Sequence, residues 1–276
     1  MIPAPFEYER VEFVDHALQL LTADPEAKVL AGGHSLLPLM RLRLARPSML
    51  VDITRIADLS YVREDGDRIA IGALTRHHDL ANSELLQQEC PIVAYAASGI
   101  GDPQVRHVGT IGGSCAHADP ASDLPTVLVA LGGELVTRGP EGASRTVPAD
   151  AFFRGLFEPD LAHDEILTEI RVPKTGSRGW SYLKFHRRQM DWALVGVAAL
   201  APGRHGASIA LTNMADRPIR ATGVEEALAA GGDPGTAAER APEGTSPPSD
   251  AFASAEYRQE LVTVLARRAL EEAMSR

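Results

Sequence analysis

The sequence is short of the residues that would build a metal centre of its own. Of 276 residues only two are cysteine, Cys90 and Cys115, and no CxxC pair occurs. Neither a disulfide framework nor a zinc or iron–sulfur site is therefore signalled, and any metal or cluster in the working system is expected from another chain. There is no G-x-G-x-x-G, which disfavours the doubly wound dinucleotide fold. There is no H-E-x-x-H: His77 and His78 are adjacent, the wrong spacing for a helical ligand pair, and are taken as structural or surface residues. No run of eighteen apolar residues occurs, and the start MIPAPFEYER has no basic region followed by an apolar core, so neither membrane span nor signal peptide is expected. Positive charge is scarce, with 27 Lys and Arg against 37 Asp and Glu and a net charge of -10. That balance excludes nucleic acid as the main partner, because a phosphate backbone needs a basic surface.

What is present is glycine in pairs. The stretch Ala31, Gly32, Gly33, His34, Ser35 follows the apolar stub Lys28–Leu30 and leads into Leu36. Eighty positions after Gly32, the stretch Thr110, Ile111, Gly112, Gly113, Ser114 repeats the pattern. A glycine pair flanked by hydroxyl residues lets consecutive backbone N–H groups turn toward one anion with little side chain in the way. Either turn alone is equally at home in a plain hairpin. Two of them point to one elongated, phosphate-bearing ligand clasped at both turns, the second offering at least four consecutive amides. In the polar loop that follows, Asp119 and Asp123 either accept hydrogen bonds from ligand hydroxyls or only cap a helix starting near Pro120. Arg41, Arg43 and Arg46 either compensate a pyrophosphate or lie on a solvated face.

At this length, with 45% hydrophobic residues, two or three domains with ample cores are expected. Periodicity predicts helices over Val14–Thr22, Leu36–Leu44 with Pro38 in the first turn, and Asn82–Ala97 across Pro91. Gly99–Val108 is too glycine-rich for helix, and Leu124–Leu131 is helix or buried strand. Glu165–Val172 alternates as a strand, and Pro173–Gly179 is the best linker. Beyond it, Trp180–His186, Trp192–Leu200 and Ala207–Leu211 make a small antiparallel sheet. Ala230–Asp250 is low in complexity and is expected to be a mobile surface loop. A closing helix, Ala255–Met274, is expected to bury Tyr257, Leu261, Val264, Leu265 and Leu270 and to turn Arg258, Arg267 and Arg268 outward.

AGGHSLLPLMRLRLARP at 31–47 and TIGGSCAHADPASDLP at 110–125 closely resemble the two flavin-binding motifs of the FAD-binding medium subunits of aerobic carbon monoxide dehydrogenase and related molybdenum hydroxylases. The resemblance runs almost end to end, through IGALTRH at 71–77, YLKFHRRQMDWALVGVAA at 182–199 and LTNMADRPIRA at 211–221. It implies an α+β chain: an FAD-binding unit over 1–175, made of two α/β subdomains (about 1–55 and 56–175), and a C-terminal domain over 176–276 with a three-stranded antiparallel sheet and helices. It implies that Ala31–Leu36 and Thr110–Ser114 wrap the pyrophosphate of FAD, with Asp123 at the hydroxyl-binding end. Trp192 stands where relatives often carry Tyr or Phe, and either screens the isoalloxazine or packs in the second core. Lys184 either approaches the ring edge or is an ordinary surface lysine, and Cys115 is a packed small residue rather than a redox thiol.

Enzymes of this class join three chains. A large molybdopterin subunit oxidises substrate, a small subunit carries two [2Fe–2S] clusters, and the flavin subunit passes electrons to an outside acceptor. The resemblance gives this chain the last role, in a dimer of heterotrimers, with no residue of its own needed as general acid or base. The expected location is the cytoplasm, or the inner face of the membrane through the assembled complex. The rival readings are a self-sufficient flavin oxidase or reductase, which lacks a visible base beside the flavin, and an assembly protein that has lost the ligand, which the intact glycine turns disfavour.

Overall fold

The computed structural model describes residues 2–203 and 206–276. Its first layer is a βαβαβ unit: β1 (Glu7–Arg10), α1 (Val14–Ala23), β2 (Lys28–Leu30), α2 (Leu36–Arg41) and β3 (Met49–Asp52). The strands run parallel in the order β1–β3–β2. Leu50 and Val51 of the middle strand are buried. Val14, Ala17, Leu18 and Leu21 of α1 pack with Val51 in the same core, at the spacing of one helical face. A parallel unit of this kind delivers its strand-to-helix turns to one edge, and the glycine turn of residues 31–35 is the β2–α2 turn.

The second layer is a five-stranded antiparallel sheet made from β4 (Val62–Asp65), β5 (Arg68–Gly72), β6 (Glu134–Arg138), β7 (Ser144–Pro148) and β10 (Ile166–Pro173), in the order β4–β5–β10–β6–β7. Between β5 and β6 come α3 (His77–Ala81), α4 (Glu84–Glu89), α5 (Pro91–Ser98), α6 (Pro103–Arg106), α7 (Ile111–His117) and α8 (Asp123–Leu131). A short helix α9 (Ala149–Phe152) and the hairpin β8 (Phe153–Gly155) and β9 (Glu158–Pro159) precede β10. All nine residues of α8 are buried, which settles the stretch as a core helix and explains why its apolar run shows no polar face.

Two sequence expectations change here. The helix expected over Asn82–Ala97 is two helices that meet at Cys90, whose backbone (φ -150°, ψ 62°) is not helical. Pro91 disfavours a helical residue before it and serves as the first residue of α5 instead. The supposedly non-helical Gly99–Val108 contains α6, started by Pro103 and capped by the Asp102 carboxylate, which accepts the Val105 N–H at 2.9 Å.

The third layer contains β11 (Trp180–Phe185), β12 (Val195–Gly203), β13 (Gly206–Thr212) and the two-residue β14 (Ile219–Arg220), all antiparallel, followed by α10 (Thr222–Ala229), α11 (Pro234–Ala238) and α12 (Ala255–Ser275). Trp192 therefore precedes its strand rather than opening it. The sheet has two covered faces. Tyr182, Ala198, Leu200 and Ala210 join the α8 core, whereas Val197, Ala199, Ile209 and Leu211 pack with Val262, Leu265 and Leu270 of α12. A sheet covered on both faces needs apolar residues at consecutive positions, which is why β12 reads as an unbroken apolar run.

The 230–250 segment is not a featureless loop. Asp233 caps α11 through Gly235 N and Thr236 N, and Ala237, Ala238 and Ala241 are fully buried. Small alanines pass for low complexity in sequence yet allow helices to pack closely. The buried face of α12 includes the expected Leu265 and Leu270, with Leu261 half-buried, and adds Val262, Ala266 and Ala269, but the expected Tyr257 and Val264 are exposed and Arg258 is buried. No helix among the described residues is long and apolar enough to cross a membrane.

The end of α12 touches the start of β11. A Cβ placed on Gly179 would sit 1.8 Å from the Ala273 carbonyl oxygen, and backbone cannot yield as a side-chain tip does. Gly179→Ala is expected to destabilise the fold by about 2–4 kcal/mol in urea titrations, the range of a forced backbone shift in a packed region. An unchanged midpoint would refute the close approach.

Candidate functional site

A cleft of about 490 Å³ opens where the first layer, helices α6–α8 and the loop after β11 converge. Of the residues selected from sequence, 31–36, Thr110, 112–114, Asp123, Lys184 and Trp192 all line it. Ile111 does not: its side chain is fully buried in the main core.

The two glycine turns are built differently. In the first, Gly33 adopts φ +71°, which only glycine takes without strain. Gly32 lets the loop lie against the next one, since a Cβ there would be 2.6 Å from the Val108 oxygen. The carbonyls of Gly33 and Ser35 accept from Leu37 N and Leu39 N, but the N–H groups of Gly32, Gly33, His34, Ser35 and Leu36 meet no acceptor among the described residues. Amides left without acceptors in the lining of a cleft are donors available to an anion.

The second turn does not supply the four free amides expected from sequence. Ile111 N donates to Thr75 O at 3.1 Å, Gly112 N to Ala73 O at 2.9 Å, Gly113 N to the Thr110 hydroxyl at 3.1 Å and Ser114 N to Thr110 O at 3.1 Å. Thr110 is the N-cap of α7, and its side chain takes one of the donors that a helix start leaves over. Gly112 is required for contact with β5 and its turn, because a Cβ would fall 2.6 Å from the Ala73 oxygen. What this turn offers the cleft is hydroxyls and a low profile rather than amides.

At the far side, Asp123 and Lys184 form an ion pair at 2.9 Å, their side chains 4% and 9% exposed. The other Asp123 oxygen accepts the Tyr182 hydroxyl at 2.6 Å, and Lys184 Nζ also lies 3.4 Å from Gly99 O. Burial pushes the Asp123 carboxyl above its ordinary range, while Lys184 and Tyr182 pull it back. Lys184 is thus a buried, paired cation, not a surface lysine. Asp123 is the first residue of α8; Ser122 precedes it as N-cap. Asp119 closes its own turn by accepting Ala121 N at 2.9 Å. Trp192 is 55% exposed at the mouth beside Met190 and Asp191. Arg41, Arg43 and Arg46 are outside the lining, with Arg43 and Arg46 bonded to the carbonyls of Ile2 and Arg43.

Sequence reasoning passed over His77. It lines the cleft, is almost wholly buried, and its Nε2 lies 3.4 Å from the Ser114 hydroxyl. A Cβ on Gly109 would be 2.9 Å from its ring, so the glycine before the second motif exists to admit the imidazole. That glycine was the available signal. His78 instead stacks on His107 at 4.0 Å. Both cysteines are buried, and burial pushes each thiol up, Cys90 to about 12, which makes them inert packing residues. Among the described residues no three His, Cys, Asp or Glu side chains converge as metal ligands.

Open amides at one end, hydroxyls in the middle and a buried ion pair at the other end make this the architecture of a protein that holds an extended anionic cofactor between two parts of its chain. The chain belongs to the family of flavoprotein components of molybdenum hydroxylases: residues 4–175 match the FAD binding domain in molybdopterin dehydrogenase, and residues 180–273 match the CO dehydrogenase flavoprotein C-terminal domain. FAD is its cofactor. It is similar to the carbon monoxide dehydrogenase medium chain of Hydrogenophaga pseudoflava, 40% identical over 100% of this chain and 99% of that one. It is also similar to the nicotine 6-hydroxylase medium subunit of Paenarthrobacter nicotinovorans, 36% identical with the same coverage. Among solved structures, carbon monoxide dehydrogenase from Hydrogenophaga pseudoflava matches with a TM-score of 0.95 at 41% identity, and quinoline 2-oxidoreductase from Pseudomonas putida 86 with 0.94 at 30%, each over 100% of this chain and 99% of the other.

Burial pushes the His77 imidazole down from 6.5 to about 4, with smaller contributions from His34 and Arg106. It is therefore neutral in the folded chain at pH 7. Between those two values the unfolded chain binds a proton that the folded chain refuses, so stability falls as pH drops from 6.5 toward 4. From pH 7 to pH 5 the loss assigned to His77 is about 2 kcal/mol. His77→Gln is expected to remove that component in urea titrations at the two pH values; an equal loss in both proteins would show that His77 is not the titrating group.

Proposed function

We propose that this chain is the electron-transfer subunit of a heterotrimeric molybdenum hydroxylase, taking electrons from [2Fe–2S] clusters of a small partner subunit and passing them to an external acceptor. The large partner subunit holds the molybdopterin and oxidises the substrate, and two heterotrimers assemble. Bound FAD supplies the redox chemistry, accepting electrons from a one-electron donor and releasing them singly or in pairs. The observation that carries the cofactor's placement is the open amide surface of Gly32–Leu36, which the fold leaves without acceptors.

In this reading those amides hold the pyrophosphate, because an anion satisfies the five consecutive N–H groups that the fold leaves without acceptors. The hydroxyls of Ser35, Thr110 and Ser114 add donors that can turn toward it, and Gly113 keeps the approach low. Neutral His77 orients the Ser114 hydroxyl and adds no charge there. Lys184, fixed by Asp123, brings a positive charge to the cleft without exposing it to water. Trp192 covers part of the mouth and limits access by water and by the acceptor. The enclosing units are 1–175, itself divided near 55, and 176–276.

Substrate choice is assigned to the large partner chain. Medium chains named for carbon monoxide, glyceraldehyde and nicotine oxidation are all 36–40% identical to this chain over at least 99% of its length. A component that stays so alike across such different molecules does not select among them. The assembly belongs to the cytoplasm or the inner membrane face.

Gly33→Val, by straining the turn that presents the open amides, and Gly113→Val, by raising a side chain into the approach beside Thr110, are each expected to lower bound FAD per folded chain by about tenfold or more. Ser35→Ala provides a variant with no backbone strain and a smaller loss. Undiminished FAD in folded Gly33→Val would overturn the pyrophosphate assignment. For the complex, protein isolated from its source should carry flavin, molybdenum and iron with two further chains; a lone yellow chain that turns over a small organic substrate would overturn the subunit role in favour of a self-sufficient oxidase.

A further inference from the structure

Arg258 is expected on the solvent side of α12 but is 0% exposed. Burying a guanidinium costs several kcal/mol unless its bonds are well placed, and an apolar residue often serves stability better. The bonds it makes lead to the cleft. One terminal nitrogen donates to the Leu194 carbonyl, the other to Asp250 Oδ2 at 2.7 Å, and Nε has no partner among the described residues.

Ala193 and Leu194 are the root at which the 186–192 loop rejoins β12. Leu194 N donates to Phe185 O at 2.8 Å, closing the loop on itself. Asn213, at φ +60°, donates its side-chain amide to Ala193 O at 2.8 Å and Leu194 O at 3.3 Å, and its own N–H to Pro120 O at 2.8 Å, just before α8. At the other limb, the Arg187 guanidinium lies 4.8 Å over the Phe252 ring, a cation–π contact. Phe252 belongs to the turn that Asp250 organises by accepting Phe252 N at 2.8 Å and Ala253 N at 3.0 Å. The 250–253 turn thus grips the loop at both limbs, and the loop carries Trp192 at the cleft mouth.

We propose that Arg258, tied to Asp250, is a positioning residue that sets the 186–194 loop, so that the 250–253 turn controls where Trp192 stands and how far the cleft is open. The consequence for access to the cofactor rests on FAD occupying the cleft; the position of the loop does not. Nothing in this arrangement requires Arg258 to touch cofactor or acceptor. It acts through one backbone carbonyl and one carboxylate.

The sequence has two tryptophans, so Trp180→Phe leaves Trp192 as the sole reporter. In that background Asp250→Asn keeps an oxygen for the turn amides but sets an NH2 group against the guanidinium, and Asp250 is exposed enough to change without a packing defect. Arg258→Met removes the strut and Arg258→Lys restores part of it. In the flavin-free chain, acrylamide quenching of Trp192 is expected to change by about twofold in Asp250→Asn and Arg258→Met and to return toward the parent in Arg258→Lys. FAD-dependent quenching of Trp192 should weaken in the first two while FAD still binds. A folded Asp250→Asn chain with parental acrylamide quenching overturns the proposal, even if Arg258→Met does not fold. A parent chain that binds no FAD would instead overturn the placement of the cofactor, and the acrylamide comparison would still decide the strut.

Discussion

The cleft depends on a buried polar contact between α8 and the C-terminal sheet. Asp123 at the start of α8 is held by Tyr182 and Lys184 of β11, and further along the same helix Thr126 accepts the Thr212 hydroxyl at 2.8 Å while Ala130 O accepts Ser208 at 2.6 Å. These bonds run the length of one buried helix, at positions about one turn apart, so they fix its rotation as well as its distance from the sheet. Apolar packing alone is non-directional and would let the sheet slide over the helix. The ion pair at the cleft end is the costly member, because two charges leave water to make it. Its carboxylate is satisfied on both oxygens, which is the condition under which such a pair is tolerated.

Much of this was visible in the residues. Strands and glycine turns followed from composition and periodicity, and the end-to-end family resemblance gave an α+β plan with a C-terminal antiparallel sheet, which carries the two-residue β14 beyond the three strands expected. What escaped was decided by contacts between segments far apart in sequence. Gly112 offers an amide to an anion on paper, but β5 places the Ala73 carbonyl against it. Arg258 stands one turn before Val262, in line with the buried face of α12, but its charge reads as solvent-facing until Asp250 and Leu194 give it partners. The alanines at 237, 238 and 241 looked like filler because small residues carry no periodic signal, whereas their smallness is what lets α11 pack against α12. Pro91 was the opposite case: the local rule was sufficient, and the apolar pattern on either side hid it.

The two glycine pairs, alike in sequence, divide the work between conformation and proximity. Gly33 supplies a backbone angle, and Gly32 and Gly112 supply close approach to other backbone. The first turn follows a short strand at the edge of a three-stranded sheet, and although Val108 and Gly109 lie against Gly32, no carbonyl there takes its amides. The second lies between β5 and α8, and its surroundings consume each donor. The attraction for an anion is therefore concentrated at the first turn, while the second shapes the wall opposite and keeps it neutral, with His77 uncharged behind Ser114. A ligand with one strongly anionic segment and a long uncharged remainder meets this distribution better than one charged along its length. Among the described residues of the lining, the buried cation Lys184 is already matched by Asp123, so the cleft can accept a largely neutral ring system there without leaving a charge unpaired.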